Sequence, residues 1–294
     1  MTPRGTENRI SPTERSLSLV LAALMVVQPL LGLLLPGVYR DVTWIKATWF
    51  GNDLITLLVA APILVVSQAS VSRGSRRARL VWLGVQGYAV YNFAYYLLGA
   101  ALNAFFPLYV LASVVSVLSL IFGLAGTDVA FAARQFSART PVRSIGGYYT
   151  FVAAGLSAVW LGTWAAYIFA ERPTPVEPEV FRLVAALDLT IIVTALAAGG
   201  VLLWRRNDWG FVISPIAGIL ASLYLSVLTL NSTVAVIQGI VQAPGELPIW
   251  GTLLVPTTAA TVLLLIAAGK GNSDGAQSRD APNQRIEQTT RLEQ

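Results

Sequence analysis

The chain contains no cysteine and no histidine, only two lysines, and few charged residues of any kind, 12% of 294. Each absence removes chemistry. Without cysteine there is no disulfide, thiolate metal centre, iron–sulfur cluster or thiol nucleophile. Without histidine there is no imidazole base and no His-ligated haem, zinc or copper. Lys46 and Lys270 lie at the edges of apolar stretches, which excludes a Schiff base buried in the middle of a helix. No Walker loop, nucleophile elbow, zincin motif or glycine-rich dinucleotide loop occurs. The sequence therefore predicts no cofactor and no metal, and it leans away from an enzyme.

What remains is apolar. Residues of the hydrophobic types make up 55% of the chain and charged residues only 12%, about half the charged share of a soluble domain. The apolar residues fall into eight blocks, near 16–38, 49–68, 80–101, 105–125, 147–170, 183–204, 209–230 and 247–268. Each block is long enough to cross a bilayer core of about 30 Å. The fold class that follows is all-α, a polytopic transmembrane bundle of eight helices. Residues 1–15 form a polar N-terminal segment, 16–270 the helical domain, and 271–294 a disordered tail rich in Gly, Ser, Asn and Gln. The first block follows several charges, as a signal peptide does, but Leu35-Pro36-Gly37 makes a poor cleavage site and the block is kept as a membrane helix.

The loops orient this array. Arg4, Arg9 and Arg15, the cluster Arg73, Arg76, Arg77 and Arg79, then Arg134, Arg139, Arg143, Arg205 and Arg206, and the basic residues of the tail all fall on one side. The other side holds Arg40, Lys46, Arg172 and Arg182. The positive-inside rule then places both termini in the cytoplasm and the protein in the cell membrane, as a multi-pass protein. The acidic residues Asp41, Glu171, Glu177, Glu179 and Glu246 lie in the outer loops, and Arg172–Glu179, with three prolines, reads as a stiff extended connector. The net charge of +5 is this same asymmetry and implies no nucleic-acid partner.

The two halves echo each other. Asp53-Leu-Ile-Thr-Leu can be laid on Asp188-Leu-Thr-Ile-Ile, each helix runs into a basic loop, and the next helices begin near Trp82 and Trp209. Pro107-Leu-Tyr109 likewise matches Pro248-Ile-Trp250. Four helices per half give a parallel repeat, 16–135 and 147–268, about an axis along the membrane normal. Chance alignment of Leu-, Val- and Ala-rich helices is the alternative.

Carboxylates within membrane helices are costly, about 2.5–3.5 kcal/mol at the helix centre. Asp53, expected one turn below the outer end of its helix, and Asp188, a little deeper, are the candidates, either as ligand-binding groups or as acceptors for neighbouring helices. Gly84, Tyr88, Asn92, Tyr95, Gly99 and Asn103 follow at steps of three and four, one helical face turned into the bundle. With Asn52 and Asp53, the residues Asn92, Tyr95 and Asn103 are expected to line an outward-facing cavity; interhelical packing explains the same stripe. Gly218, Ser222 and Ser226 form a packing ridge, and Pro29, Pro62, Pro215 and Pro256 sit inside helices, where they bend them.

The stretches Gly51-Asn-Asp53-Leu, Arg79-Leu-Val-Trp-Leu-Gly84, Tyr88-x-x-Tyr91-Asn92-x-x-Tyr95, Gly99-Ala-x-Leu-Asn103 and Leu203-Trp-Arg-Arg-Asn-Asp-Trp-Gly210 together resemble a family of uncharacterised bacterial integral membrane proteins. The resemblance implies a polytopic fold and carries no activity with it. The functional expectation thus rests on the residues: a protein that binds or moves a small cationic or protonatable molecule, using Asp53 and Asp188. A non-catalytic membrane partner, assembled with another subunit or a second copy, is the alternative. An enzyme of lipids or isoprenoids ranks below both, since two lone carboxylates hold a metal poorly.

Overall fold

The computed structural model describes residues 10–240 and 245–269. Residues 1–9 and the tail expected over 271–294 lie outside the described residues. Among the described residues eight long helices follow one another: α1 (Pro12–Leu34), α2 (Thr43–Ser72), α3 (Arg76–Gly99), α4 (Phe106–Ala125), α5 (Val142–Ala170), α6 (Pro178–Trp204), α7 (Gly210–Ile237) and α8 (Leu247–Ala267). A single helical turn, Val129–Ala133, bridges α4 and α5. All but α3 are long and apolar enough to cross a membrane. Their outward faces carry bare apolar side chains such as Leu58, Phe151, Phe169 and Val255, each more than 60% exposed, which suits hydrocarbon and not water.

α3 is the exception because it is the centre. Trp82, Leu83, Val85, Gln86, Tyr88, Asn92, Phe93 and Tyr96 are all buried, so its polar residues meet protein and not lipid. It packs along α7, its equal in burial. Around this pair α2 lies against α3 and α7, and α6 also touches both. α1 closes over α2 and α4, whereas α5 leans mainly on α6 and α8 on α7. Glycines permit the closest approaches. A Cβ on Gly84 would strike Ile219 of α7, and one on Gly218 would strike Tyr149 of α5 and Thr261 of α8.

Several helix ends differ from the apolar blocks. α1 begins at Pro12, within the segment expected to be a polar arm, because Ser11 caps it: its Oγ accepts from the Glu14 N–H and the Glu14 carboxylate accepts from the Ser11 N–H. α3 starts at Arg76 behind the Ser75 cap, before its apolar residues begin. α6 starts at Pro178, so the last two residues of the expected extended connector belong to a helix; proline at the first helical position lacks only an N–H that would be orphaned there. α7 continues to Ile237, a turn and more past the expected end.

Two helices share an irregularity. α2 widens into a π turn over Thr56–Ala60, and α6 does so over Asp188–Val193. In α2 the wide turn precedes Pro62, whose missing N–H leaves a carbonyl one turn earlier without its usual partner. No proline accompanies the turn in α6.

Candidate functional site

Asp53 and Asp188 are each ten residues into their helices, three turns from the N-terminal end, so Asp53 lies deeper than expected and level in sequence register with Asp188. The reason is that α2 begins at Thr43, ahead of its apolar block. Both carboxylates are 1% exposed. Asp188 opens a π turn and Asp53 lies three residues before one, an irregularity that recurs at functional positions in helices.

Around Asp53 three donors converge. Tyr96 Oη of α3 donates to Oδ1 at 2.6 Å, Gln28 Nε2 of α1 to Oδ1 at 3.1 Å, and Tyr39 Oη, from the connection between α1 and α2, to Oδ2 at 2.8 Å. Gly32 makes this possible, since a Cβ there would run into Asp53 Oδ2 and Tyr39 Oη. Aromatic rings wall the cluster: Trp49 stacks on Tyr96 with centroids 4.8 Å apart and on Tyr39 at 6.1 Å, and Tyr96 stacks on Tyr109 at 5.3 Å. Burial and the neighbouring Asp53 carboxylate push the Tyr39 phenol well above its ordinary range, so Tyr39 is a neutral donor.

Asp188 is held in the same manner by other residues. Tyr91 Oη of α3 donates to Oδ1 at 2.7 Å, and Tyr224 Oη of α7 and Trp160 Nε1 of α5 donate to Oδ2, each at 3.0 Å. The two phenols meet edge to face at 4.8 Å. In both clusters every donor is neutral, and neither carboxylate has a cation within ion-pairing distance among the described residues. Three hydrogen bonds to a carboxylate stabilise its charged form, yet they bring no compensating charge.

The remaining predicted residues divide. Asn92 belongs to a neighbouring cluster, its Nδ2 donating to Thr56 Oγ1 at 3.3 Å while that hydroxyl shares a 2.9 Å hydrogen bond with Tyr88 Oη. Tyr95 packs its ring on Trp49, 4.9 Å between centroids. Asn52 donates to the Thr48 carbonyl of its own helix. Asn103 is not on the α3 face at all, because α3 ends at Gly99. Its Oδ1 accepts from the Phe105 N–H and its Nδ2 donates to the Ala101 carbonyl, so it shapes the turn into α4. None of these four touches either carboxylate. Tyr91 and Tyr96 are five residues apart on α3, about 140° around its axis at 3.6 residues per turn, so α3 stands between the two aspartates.

Five residues that hold the carboxylates, Gln28, Tyr39, Tyr96, Trp160 and Tyr224, carried no sequence signal for this role. Their partners lie 14 to 43 positions away on other elements. Gln28 to Trp160, Asp53 to Asp188 and Tyr96 to Tyr224 are all separated by about 130 residues, the spacing of the expected repeat.

Two surface depressions occur near the basic loops. One is lined by Arg76, Arg79, Thr127, Phe131 and Gln135 among others, the second by Val129, Arg206, Asp208 and neighbours. Neither includes a residue of the aspartate clusters. Arg76 is engaged there by Gln135 Oε1 and lies over the Phe131 ring, 4.4 Å from its centroid. Among the described residues no three carboxylates gather as a metal site. Comparison with known protein families, with characterised proteins and with solved structures finds no match to this chain, so the geometry alone carries the functional reading.

Proposed function

We propose that this is an eight-helix protein of the cell membrane, with both termini cytoplasmic, that binds or moves a small cation or protonatable molecule at Asp53 and Asp188. One observation carries the reading: two carboxylates deep in an apolar bundle are each held by three neutral donors and, among the described residues, by no positive charge. Structural acceptors at such depth need no negative charge, since an Asn or Ser serves at lower desolvation cost. A carboxylate that must become neutral, by taking a proton or a cation, does. The packed interior then corresponds to an occluded state, in which phenols and amides occupy the directions a ligand would use.

A 4+4 parallel repeat supports this reading. Its two halves would place α2 against α7 just as α6 sits against α3, with the α3–α7 pair on the axis. The matched depth of the aspartates, their π turns and their tyrosine partners from α3 and α7 fit the same symmetry.

The alternative is a non-catalytic partner subunit, in which the two clusters only lock helices together. It is favoured by the fact that both carboxylates are buried and engaged, and that neither of the two depressions near the basic loops reaches them. Thermal stability of the detergent-purified protein, across pH and a panel of cations and amines, separates the two. A ligand that raises the melting temperature of the native protein by several degrees, and raises less that of Asp53→Asn or of Asp188→Asn, supports binding. A native protein indifferent to every ligand, with variants that melt earlier at every pH, establishes the scaffold.

A further inference from the structure

The two clusters differ in one partner. Trp160 meets Asp188 with an indole N–H, a group that only donates. Gln28, which takes the corresponding place at Asp53, carries a donor and an acceptor on one rotatable plane. Its Nε2 is engaged by Asp53 and by Tyr39 Oη, 3.3 Å away, while its Oε1 is buried with no hydrogen-bond partner. The residue is wholly enclosed, so water from the bulk does not reach that oxygen. The Asp53 cluster therefore leaves one buried acceptor oxygen without a donor. It lacks positive charge, not oxygen.

Half a turn of the amide about its terminal bond exchanges Nε2 for Oε1 at the carboxylate. Oxygen then faces oxygen, which is repulsive unless a cation lies between. We propose that Asp53 and Gln28 form a site for one dehydrated monovalent cation of about the size of sodium, completed by Tyr39 Oη, and that Asp188, left to take a proton, binds no metal ion. This rests on the cation reading above and assigns it to the first aspartate alone.

The chemistry narrows the occupant. Carboxylate, amide carbonyl and phenol are hard oxygen ligands, suited to alkali and alkaline-earth ions. A single carboxylate neutralises a monovalent ion and leaves a divalent one with uncompensated charge in hydrocarbon. Organic amines are disfavoured because the ring faces of Tyr39, Trp49 and Tyr96 are already stacked on one another, and because Gly32 lies against both Asp53 and Tyr39 without space for even a methyl group.

Equilibrium binding of radioactive sodium to the detergent-purified full chain, in a choline chloride background, tests the site. Saturable binding of one ion per chain is expected, accompanied by a sodium-dependent change in tryptophan emission from Trp49. Gln28→Met and Asp53→Asn are expected to weaken it at least tenfold and Asp188→Asn to leave it within twofold. Gln28→Asn, which withdraws the amide by one methylene, replaces Gln28→Met should that variant fail to fold. Absence of saturable binding by the native chain overturns the proposal, as does binding that survives both Gln28 substitutions. Sodium binding lost in Asp188→Asn but kept in Asp53→Asn also overturns it, yet leaves the broader cation reading standing. So does stabilisation that follows pH while sodium has no effect.

Discussion

Arg79 and Glu14, 65 positions apart, meet inside the bundle: Nη2 lies 2.7 Å from Oε1, and both side chains are about 5% exposed. The guanidinium is further held by the Gly123 carbonyl and Thr127 Oγ1 and rests near the Trp82 ring. Glu14 also closes the cap of α1. One ion pair thus joins α1, α3 and α4 at the basic end.

Removing one partner strands the other. Glu14→Gln is expected to lower stability by about 3–5 kcal/mol, whereas Glu14→Leu with Arg79→Met together should cost much less, because no buried charge is left uncompensated. Denaturant titration of the purified variants checks both. Equal losses for the single and the double variant would show that the pair's charge is not what matters.

Gly32 and Gly37, five residues apart, make a matched test of packing. A methyl group at position 32 would collide with Asp53 and Tyr39, and one at position 37 meets nothing within 4 Å. Gly32→Ala is expected to destabilise by about 1–3 kcal/mol, and Gly37→Ala to be neutral. Melting temperatures of the two variants decide it.

The raised phenol of Tyr39 makes a pH prediction outside the membrane-spanning segments. A tyrosine ionises near pH 10 when unfolded, and Tyr39 holds its proton well beyond that when folded. Its contribution is therefore complete below about pH 10 and declines as pH rises toward the folded value, since only the unfolded chain gains by losing the proton. Tyr39→Phe should melt earlier than the native protein at pH 8, with a smaller further loss between pH 9 and 11. Parallel slopes for the two proteins would contradict this.

The absence of cysteine makes the orientation directly measurable. Single cysteines at Ala138, between α4 and α5, and at Glu177, just before α6, fall at exposed positions on opposite sides. An impermeant maleimide is expected to label Glu177→Cys in intact cells and Ala138→Cys only after the membrane is opened. The reverse pattern would invert the bundle.

Most of the architecture was legible because hydrocarbon imposes a length on each apolar run, and that length shows in sequence. Pro107 and Leu247 therefore fall within a residue or so of observed helix starts. Starts set by hydrogen bonding were less visible. Ser11 and Glu14 spell a capping box three residues apart, yet the pair sits in the stretch read as a polar N-terminal segment ahead of the first helix. The two aspartates stood out because charge is rare in this chain; Gln28 and Trp160 did not, since a lone amide or indole in an apolar helix has no periodicity and its partner is known only once the helices are packed. The π turns left no trace in α6, where no proline marks them.

Tyr91 and Tyr96 project from α3 in directions far apart, and each grips a different aspartate. The helix consequently works as a crankshaft. A twist about its long axis that moves Tyr96 relative to Asp53 moves Tyr91 relative to Asp188 as well. Whatever changes the hold at one carboxylate therefore bears on the hold at the second, and by thermodynamic reciprocity the influence runs equally in both directions.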